Sequence, residues 1–178
     1  MFDRLNIWSK STYKILEVLS ADPNERLHVR EMARRSDTSP STASNILREL
    51  EKENMLAKEV VGRQTFYTVN MNNPVIKQFK VFDNVLNLYD IVNKLKDVSD
   101  KIVLFGSASQ GTNTKKSDID LFIKTSNPDD VKERIRGSEM ISPIIVRSGD
   151  FQVFKKETEA LYENIKKGIV LWSREDEL

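Results

Sequence analysis

Apolar residues in the first half of the chain fall at helical intervals in three places. Tyr13, Ile15, Leu16, Val18 and Leu19 share a face after Ser11 or Thr12, either of which can cap the start, and Asp22-Pro23-Asn24 ends the run. Leu27-His28-Val29 reads as a short extended piece. Arg30 to Ser36 then sets Met32 and Ala33 on one side of a second, short helix, which Asp37-Thr38-Ser39-Pro40 breaks. A third helix opens at Pro40, where the missing N–H costs nothing, and carries Ala43, Ile46, Leu47 and Leu50 to about Asn54. Leu56 to Val61 and Gln64 to Val69 flank Gly62-Arg63 as two strands of a hairpin.

Asn70 to Pro74 is a polar break. After it Val75, Phe79, Phe82, Val85, Leu86, Tyr89, Ile91, Val92 and Leu95 keep helical period for several turns. Such a helix suits either a dimer contact or a linker packed within one chain. The pattern changes again at Lys101, with a buried-strand run Ile102-Val103-Leu104-Phe105, a Gly- and Ser-bearing loop, and a second strand over Ile119 to Ile123. A helix is predicted over Pro128 to Arg136, a strand over Ile141 to Val146, a helix from Phe151 to Lys167 ended by Gly168, and a last strand over Ile169 to Trp172. Arg174 to Leu178 reads as a frayed tail. The fold class is therefore α+β in two domains: residues 1–73, a linker or packing helix over 74–98, and a second domain over 99–178 with a mixed sheet and flanking helices.

Composition narrows the chemistry. With 39% apolar and 31% charged residues the chain matches a soluble globular protein, and no segment has the apolar length of a membrane span. The opening residues lack the charged start, apolar stretch and small-residue cleavage site of a signal peptide, so a cytoplasmic location is expected. There is no cysteine and one histidine, His28, which excludes thiolate sites, thiol nucleophiles and a multi-histidine metal site. Any metal is held by oxygen ligands, which favours Mg²⁺ or Mn²⁺ over Zn²⁺. His28 itself is expected to pack or lie at the surface. A net charge of +1 means that any basic surface for nucleic acid is local.

The third helix opens with small hydroxylated residues. Ser39, Ser41, Thr42, Ser44 and Asn45 could enter the major groove and meet base edges, while Arg30, Arg34, Arg35, Lys58 and Arg63 could reach phosphates. The order of elements over Ser11 to Val69 resembles the winged helix-turn-helix of small bacterial and archaeal repressors. That resemblance implies DNA as a partner, and a homodimer would read a two-fold operator. A winged helix that docks protein is the other reading of the same elements.

Nucleotidyl transfer needs a cradle for polyphosphate and carboxylates that hold divalent ions. Gly106-Ser107 follows a strand directly and offers backbone N–H groups with a hydroxyl, and Asp118 and Asp120, two residues apart on a strand, emerge on one face. Gly106-Ser107-Ala108-Ser109-Gln110-Gly111 followed by Ser117-Asp118-Ile119-Asp120-Leu121 resembles the signature of the minimal nucleotidyltransferases, in the superfamily that includes DNA polymerase beta. The resemblance covers about Lys101 to Trp172. It implies that Gly106 and Ser107 bind a nucleoside triphosphate, that Asp118 and Asp120 are catalytic and coordinate Mg²⁺ (or Mn²⁺), and that a toxin-like protein partner is possible. Two departures stand out. Ala108 and Gln110 occupy loop positions where many relatives carry arginine, and the strand Ile141 to Val146 holds no acid to complete the metal site, with Glu139 and Asp150 just beyond its ends. Ser117 is expected to orient the loop, and Lys115 and Lys116 to be solvated.

Two functions follow. As an enzyme the chain would transfer a nucleoside monophosphate from a nucleoside triphosphate to an acceptor hydroxyl. As a regulator it would bind an operator and use a catalytically weak transferase fold to sense a nucleotide or dock a partner. A third reading, in which both domains serve protein contacts alone, leaves the glycine-serine loop and the aspartate pair as relics.

Overall fold

The computed structural model describes residues 9–174, so Met1–Trp8, where a signal peptide was sought, and Glu175–Leu178 of the expected frayed tail lie outside the described residues. The chain divides into two compact units, Met1–Lys80 and Val81–Leu178. No helix among the described residues is long and apolar enough to cross a membrane.

The first unit begins with α1 (Lys10–Ala21), capped by Ser9 rather than by Ser11 or Thr12: the Ser9 hydroxyl accepts from the Thr12 N–H at 3.1 Å. β1 (Leu27–His28) and α2 (Val29–Arg35) follow. His28 has a defined task there, because its Nδ1 accepts from the Arg30 and Glu31 N–H groups and so supplies two donors at the helix start with a partner. Next come α3 (Pro40–Lys52), β2 (Leu56–Val61) and β3 (Gln64–Val69), with Gly62 taking the positive φ that the tight turn demands. The expected hairpin gains a third strand, since Leu27 and His28 pair with Tyr67 and Phe66 and set the sheet order β1-β3-β2. A two-residue strand is too short to leave a periodic mark.

Ile15, Leu16, Leu19, Met32, Ala43, Leu47 and Leu50 form the fully buried helical core of this unit, closed by Tyr67, Val69 and the start of α4 (Pro74–Asn87) through Ile76 and Phe79. Pro40 at the first turn and Ser39 before it fix where α3 begins, with the Ser39 hydroxyl accepting from the Thr42 N–H at 3.1 Å. Ser39→Ala is therefore expected to cost about 1 kcal/mol, read as a lower urea midpoint at unchanged slope.

In the second unit the long predicted helix is two: α4 ends at Asn87 and α5 spans Tyr89–Leu95. The break lies at Leu88, whose N–H is shared between the Asn84 and Val85 carbonyls at 3.2 Å each while its side chain is buried in the core. β4 (Lys101–Phe105), α6 (Gly106–Ser109), β5 (Ile119–Thr125), α7 (Pro128–Arg134) and β6 (Ile141–Arg147) come next. After a single 3₁₀ turn the chain continues as α8 (Phe151–Glu157), α9 (Glu159–Lys166) and β7 (Ile169–Ser173). The predicted helix from Phe151 to Lys167 is divided at Thr158, whose hydroxyl donates to the Phe154 carbonyl at 2.7 Å and whose backbone leaves the helical region.

The sheet is mixed, in the order β6-β5-β4-β7, with β5 and β6 parallel and the other pairs antiparallel. Pro143 sits in β6, an edge strand, where a missing donor is tolerated. One face carries Ile102, Leu104, Leu121 and Ile123 against α5 and α7; the other carries Val103, Phe105, Phe122 and Val146 under the aromatic side chains of α8 and Leu161 and Ile165 of α9. Gly168 lets the chain pass into β7 hard against β4, since a Cβ there would overlap the Leu104 carbonyl.

Candidate functional site

The site forms where β4 ends and β5 begins. Phe105, the last residue of β4, pairs with Asp120, and the chain then turns through Gly106 at φ 68° into the short helical turn α6. The first amides of such a turn have no acceptor within it and point outward from the strand end. Gly106 is required twice over: its backbone is left-handed, and a Cβ would collide with Asp120 Oδ2. The Asp120 carboxylate is thus packed against the glycine that opens the loop. Asp118 stands one residue before β5, exposed, on the same side as Asp120.

Burial, and then the nearby Asp118 charge, push the Asp120 carboxyl above the ordinary carboxylate range. A carboxyl raised in the folded state favours its protonated form there, so its contribution to stability is present at low pH and lost as pH climbs through the raised value. At neutral pH the ionised group therefore costs stability. Asp120→Asn is expected to raise the urea midpoint at pH 7, by about 1 kcal/mol, with the gain fading as pH falls through the raised value and gone below the usual carboxylate range. Equal midpoints for the two proteins at pH 7 would contradict this.

The loop between the two strands is held by side chains that periodicity does not reveal. Asn84 on α4 donates from Nδ2 to the Ala108 carbonyl at 2.9 Å and to Asn113 Oδ1 at 3.0 Å, while Asn113 Nδ2 returns a bond to Asn84 Oδ1 at 3.2 Å. This clamp ties the turn after Gly106-Ser107 to the approach to Asp118. Asn84 is 8% exposed, and a polar residue within an apolar helix pattern was the one available signal. Ser109 Oγ donates to the Gly106 carbonyl, and Ser117 Oγ accepts from the Thr114 N–H, which places both serines in the loop's own bonding. Lys115 and Lys116 are exposed.

A third carboxylate is not gathered here. In the parallel register Asp120 lies opposite Ser142, so the neighbouring-strand position on the same face as Asp120 carries a hydroxyl. Asp150 follows the far end of β6, about 17 Å of strand from Asp120. Glu139 precedes β6, and among the described residues no group of three His, Cys, Asp or Glu is placed to hold a metal ion. Asp118 and Asp120 alone fit one hard cation that takes its remaining ligands from water and phosphate. They do not fit a two-metal centre.

On the first unit, α3 presents Ser41, Asn45, Arg48 and Lys52 as an exposed stripe opposite Ala43, Leu47 and Leu50. Thr42 and Ser44 are partly covered, and the Ser39 hydroxyl is engaged in the cap and with Ser41 and Thr42. Arg48, which bonds Asn45 Oδ1 and the Ser44 carbonyl, was not singled out from sequence, although it completes the polar face. Arg63 and Lys58 are exposed on the hairpin, and so is Arg30 on α2. Arg34 and Arg35 are paired with Glu31 and Glu25.

Three helices with a three-stranded antiparallel wing, and a mixed sheet with a glycine-serine turn beside two aspartates, define a winged helix-turn-helix domain fused to a nucleotidyltransferase-like domain. Comparison with known families agrees: the polymerase beta nucleotidyltransferase family matches residues 86–177, and winged helix-turn-helix DNA-binding matches residues 9–56. The chain belongs to the polymerase beta nucleotidyltransferase family, whose match takes in more than half of it. No curated protein matches the chain. Among solved structures it is similar to MepR, a transcription regulator of the Staphylococcus aureus multidrug efflux pump MepA, at 19% identity over 52% of this chain and 67% of that one, TM-score 0.40. A Sulfolobus solfataricus protein assigned as a nucleotidyltransferase aligns at 19% identity over 60% of this chain and 96% of that one, TM-score 0.36. A MarR family transcriptional regulator from Silicibacter pomeroyi aligns at 13% identity over 88% and 70%, TM-score 0.33.

Proposed function

We propose that the chain is a cytoplasmic DNA-binding regulator whose second unit binds a nucleoside triphosphate with Mg²⁺ (or Mn²⁺). The observation that carries this reading is the pairing of a preserved nucleotide cradle with an incomplete metal centre: Gly106 closes on Asp120, Asp118 stands beside it, and Ser142 occupies the register position opposite Asp120. Gly106 and Ser107 hold the triphosphate through backbone N–H groups and the hydroxyl, and Asp118 and Asp120 hold the cation. When bound, the cation neutralises phosphate charge and relieves the repulsion between the two carboxylates. The first unit reads DNA with Ser41, Thr42, Ser44 and Asn45 on α3, joined by Arg48, while Arg63 at the wing meets phosphate. Two copies of the chain would meet a two-fold operator.

A second reading keeps the family's chemistry. In it an acceptor hydroxyl attacks the α-phosphorus, pyrophosphate leaves, and the nucleoside monophosphate is carried to the acceptor. The Asp118/Asp120 pair favours it, since a carboxylate whose ionised form is disfavoured in the fold stands at a site that would gain stability without it.

One experiment separates the two. Mg²⁺ and a labelled nucleoside triphosphate are titrated into wild type and Asp118→Asn/Asp120→Asn, with binding and pyrophosphate release followed together. Metal-dependent binding without release, lost in the double variant, is the expected result. Release that disappears in the double variant favours the transferase, and no binding at all overturns both.

A further inference from the structure

A second concave site lies at the opposite end of the sheet from Gly106. It has a volume of about 310 Å³ and is lined by Lys101, Lys124, Lys155 and Arg174 against one carboxylate, Asp100. Asp100 is already engaged, accepting from the Ser148 hydroxyl and pairing with Arg174 at 3.3 Å. Lys124 and Lys155 therefore face the recess with no carboxylate in it left to pair with them.

Cations from neighbouring elements converge here on one aromatic ring. Lys101 and Lys124 are directly opposite on antiparallel strands, a placement in which like charges repel. Lys124 and Lys155 bracket a single ring, with Nζ atoms 5.2 and 4.5 Å from the Phe151 centroid, and Lys155 also lies 5.0 Å from the centroid of Tyr162. Aromatic faces attract ammonium groups without neutralising them. Among the described residues neither Lys124 nor Lys155 has a carboxylate within ion-pair distance. Three of these cations come from separate elements, β4, β5 and α8, and only the fold brings them together.

We infer that this recess is an anion site that takes an oligophosphate, free or as the phosphates of a nucleotide. Its volume is at the lower limit of small-ligand pockets, and compact ammonium charges suit an anion of high charge density. It is separate from the aspartate site: Lys124 is four residues beyond Asp120, about 13 Å along the strand, and the buried Phe122 lies between them. It also needs no metal, because the protein supplies the cations. Arg174 is followed in sequence by Glu175, Asp176 and Glu177, so a chain that ends before these acids belongs in the test.

The test is calorimetry with sodium tripolyphosphate and with a nucleoside triphosphate, in EDTA, against the full chain, Lys124→Gln/Lys155→Gln, Asp118→Asn/Asp120→Asn, and a chain ending at Arg174. Both ligands are expected to bind wild type and the aspartate variant alike, and the lysine variant at least tenfold more weakly. Each ligand should raise the melting temperature of wild type but not of the lysine variant, whose own melting temperature shows that it is folded. Binding seen only in the shortened chain still supports the site and identifies the acidic residues as its competitor. Absence of binding to both the full and shortened chains, equal binding by the lysine variant, or binding of the nucleotide with none of tripolyphosphate, overturns the inference.

Discussion

Gly106→Ala is expected to weaken metal-dependent nucleotide binding on the order of 100-fold and to destabilise the second unit by about 2 kcal/mol. The alanine must either hold a left-handed backbone or move the turn, and its Cβ would occupy the place of Asp120 Oδ2. Driving the carboxylate off the glycine misplaces one proposed ligand of the cation, while shifting the turn misplaces the amides proposed to meet phosphate. Both parts of the site fail from one methyl group. Calorimetry with Mg²⁺ and nucleotide reads the first loss, and urea unfolding the second. A variant that binds as wild type would show that the Gly106–Asp120 contact is not part of the binding site.

Phe122→Ala is expected to be the most destabilising single change in the second unit, at about 3–5 kcal/mol. Phe122 is 1% exposed, stacks on Phe154 with centroids 5.8 Å apart, and meets Phe151 at 6.0 Å. Removing it leaves a cavity between β5 and α8 that backbone hydrogen bonds prevent from collapsing. The first unit has its own core, so a urea titration should separate into two transitions, with only the one belonging to residues after Lys80 displaced. One unchanged transition would mean that the aromatic cluster contributes little.

How far the sequence revealed this protein depended on the range of the interaction. Elements defined by local rules were legible: α3 from Pro40 and its apolar spacing, the hairpin around Gly62, β4 and β5 from their apolar runs. The glycine-serine turn and aspartate pair were legible too, because they lie close together in sequence. Breaks at Leu88 and Thr158 were not, since a shared N–H and a hydroxyl bonded to the previous turn interrupt helices without disturbing apolar period. The Asn84 clamp joins residues far apart in the chain. The position of Ser142 opposite Asp120 depends on β6 pairing in parallel with β5, which no local pattern encodes.

The order β6-β5-β4-β7 also bears on how the protein is made. β4 lies inside the sheet, yet its partner on one side, β7, is the last of the sheet's four strands to leave the ribosome. The winged helix can close early, because its contacts are made within Lys10 to Phe79. In the second unit, Lys101 to Phe105 waits with an unpaired edge until Ile169 to Ser173 arrives, and exposed apolar edges invite pairing with other chains. Synthesis halted before Gly168 should therefore yield a folded winged helix joined to an aggregation-prone remainder.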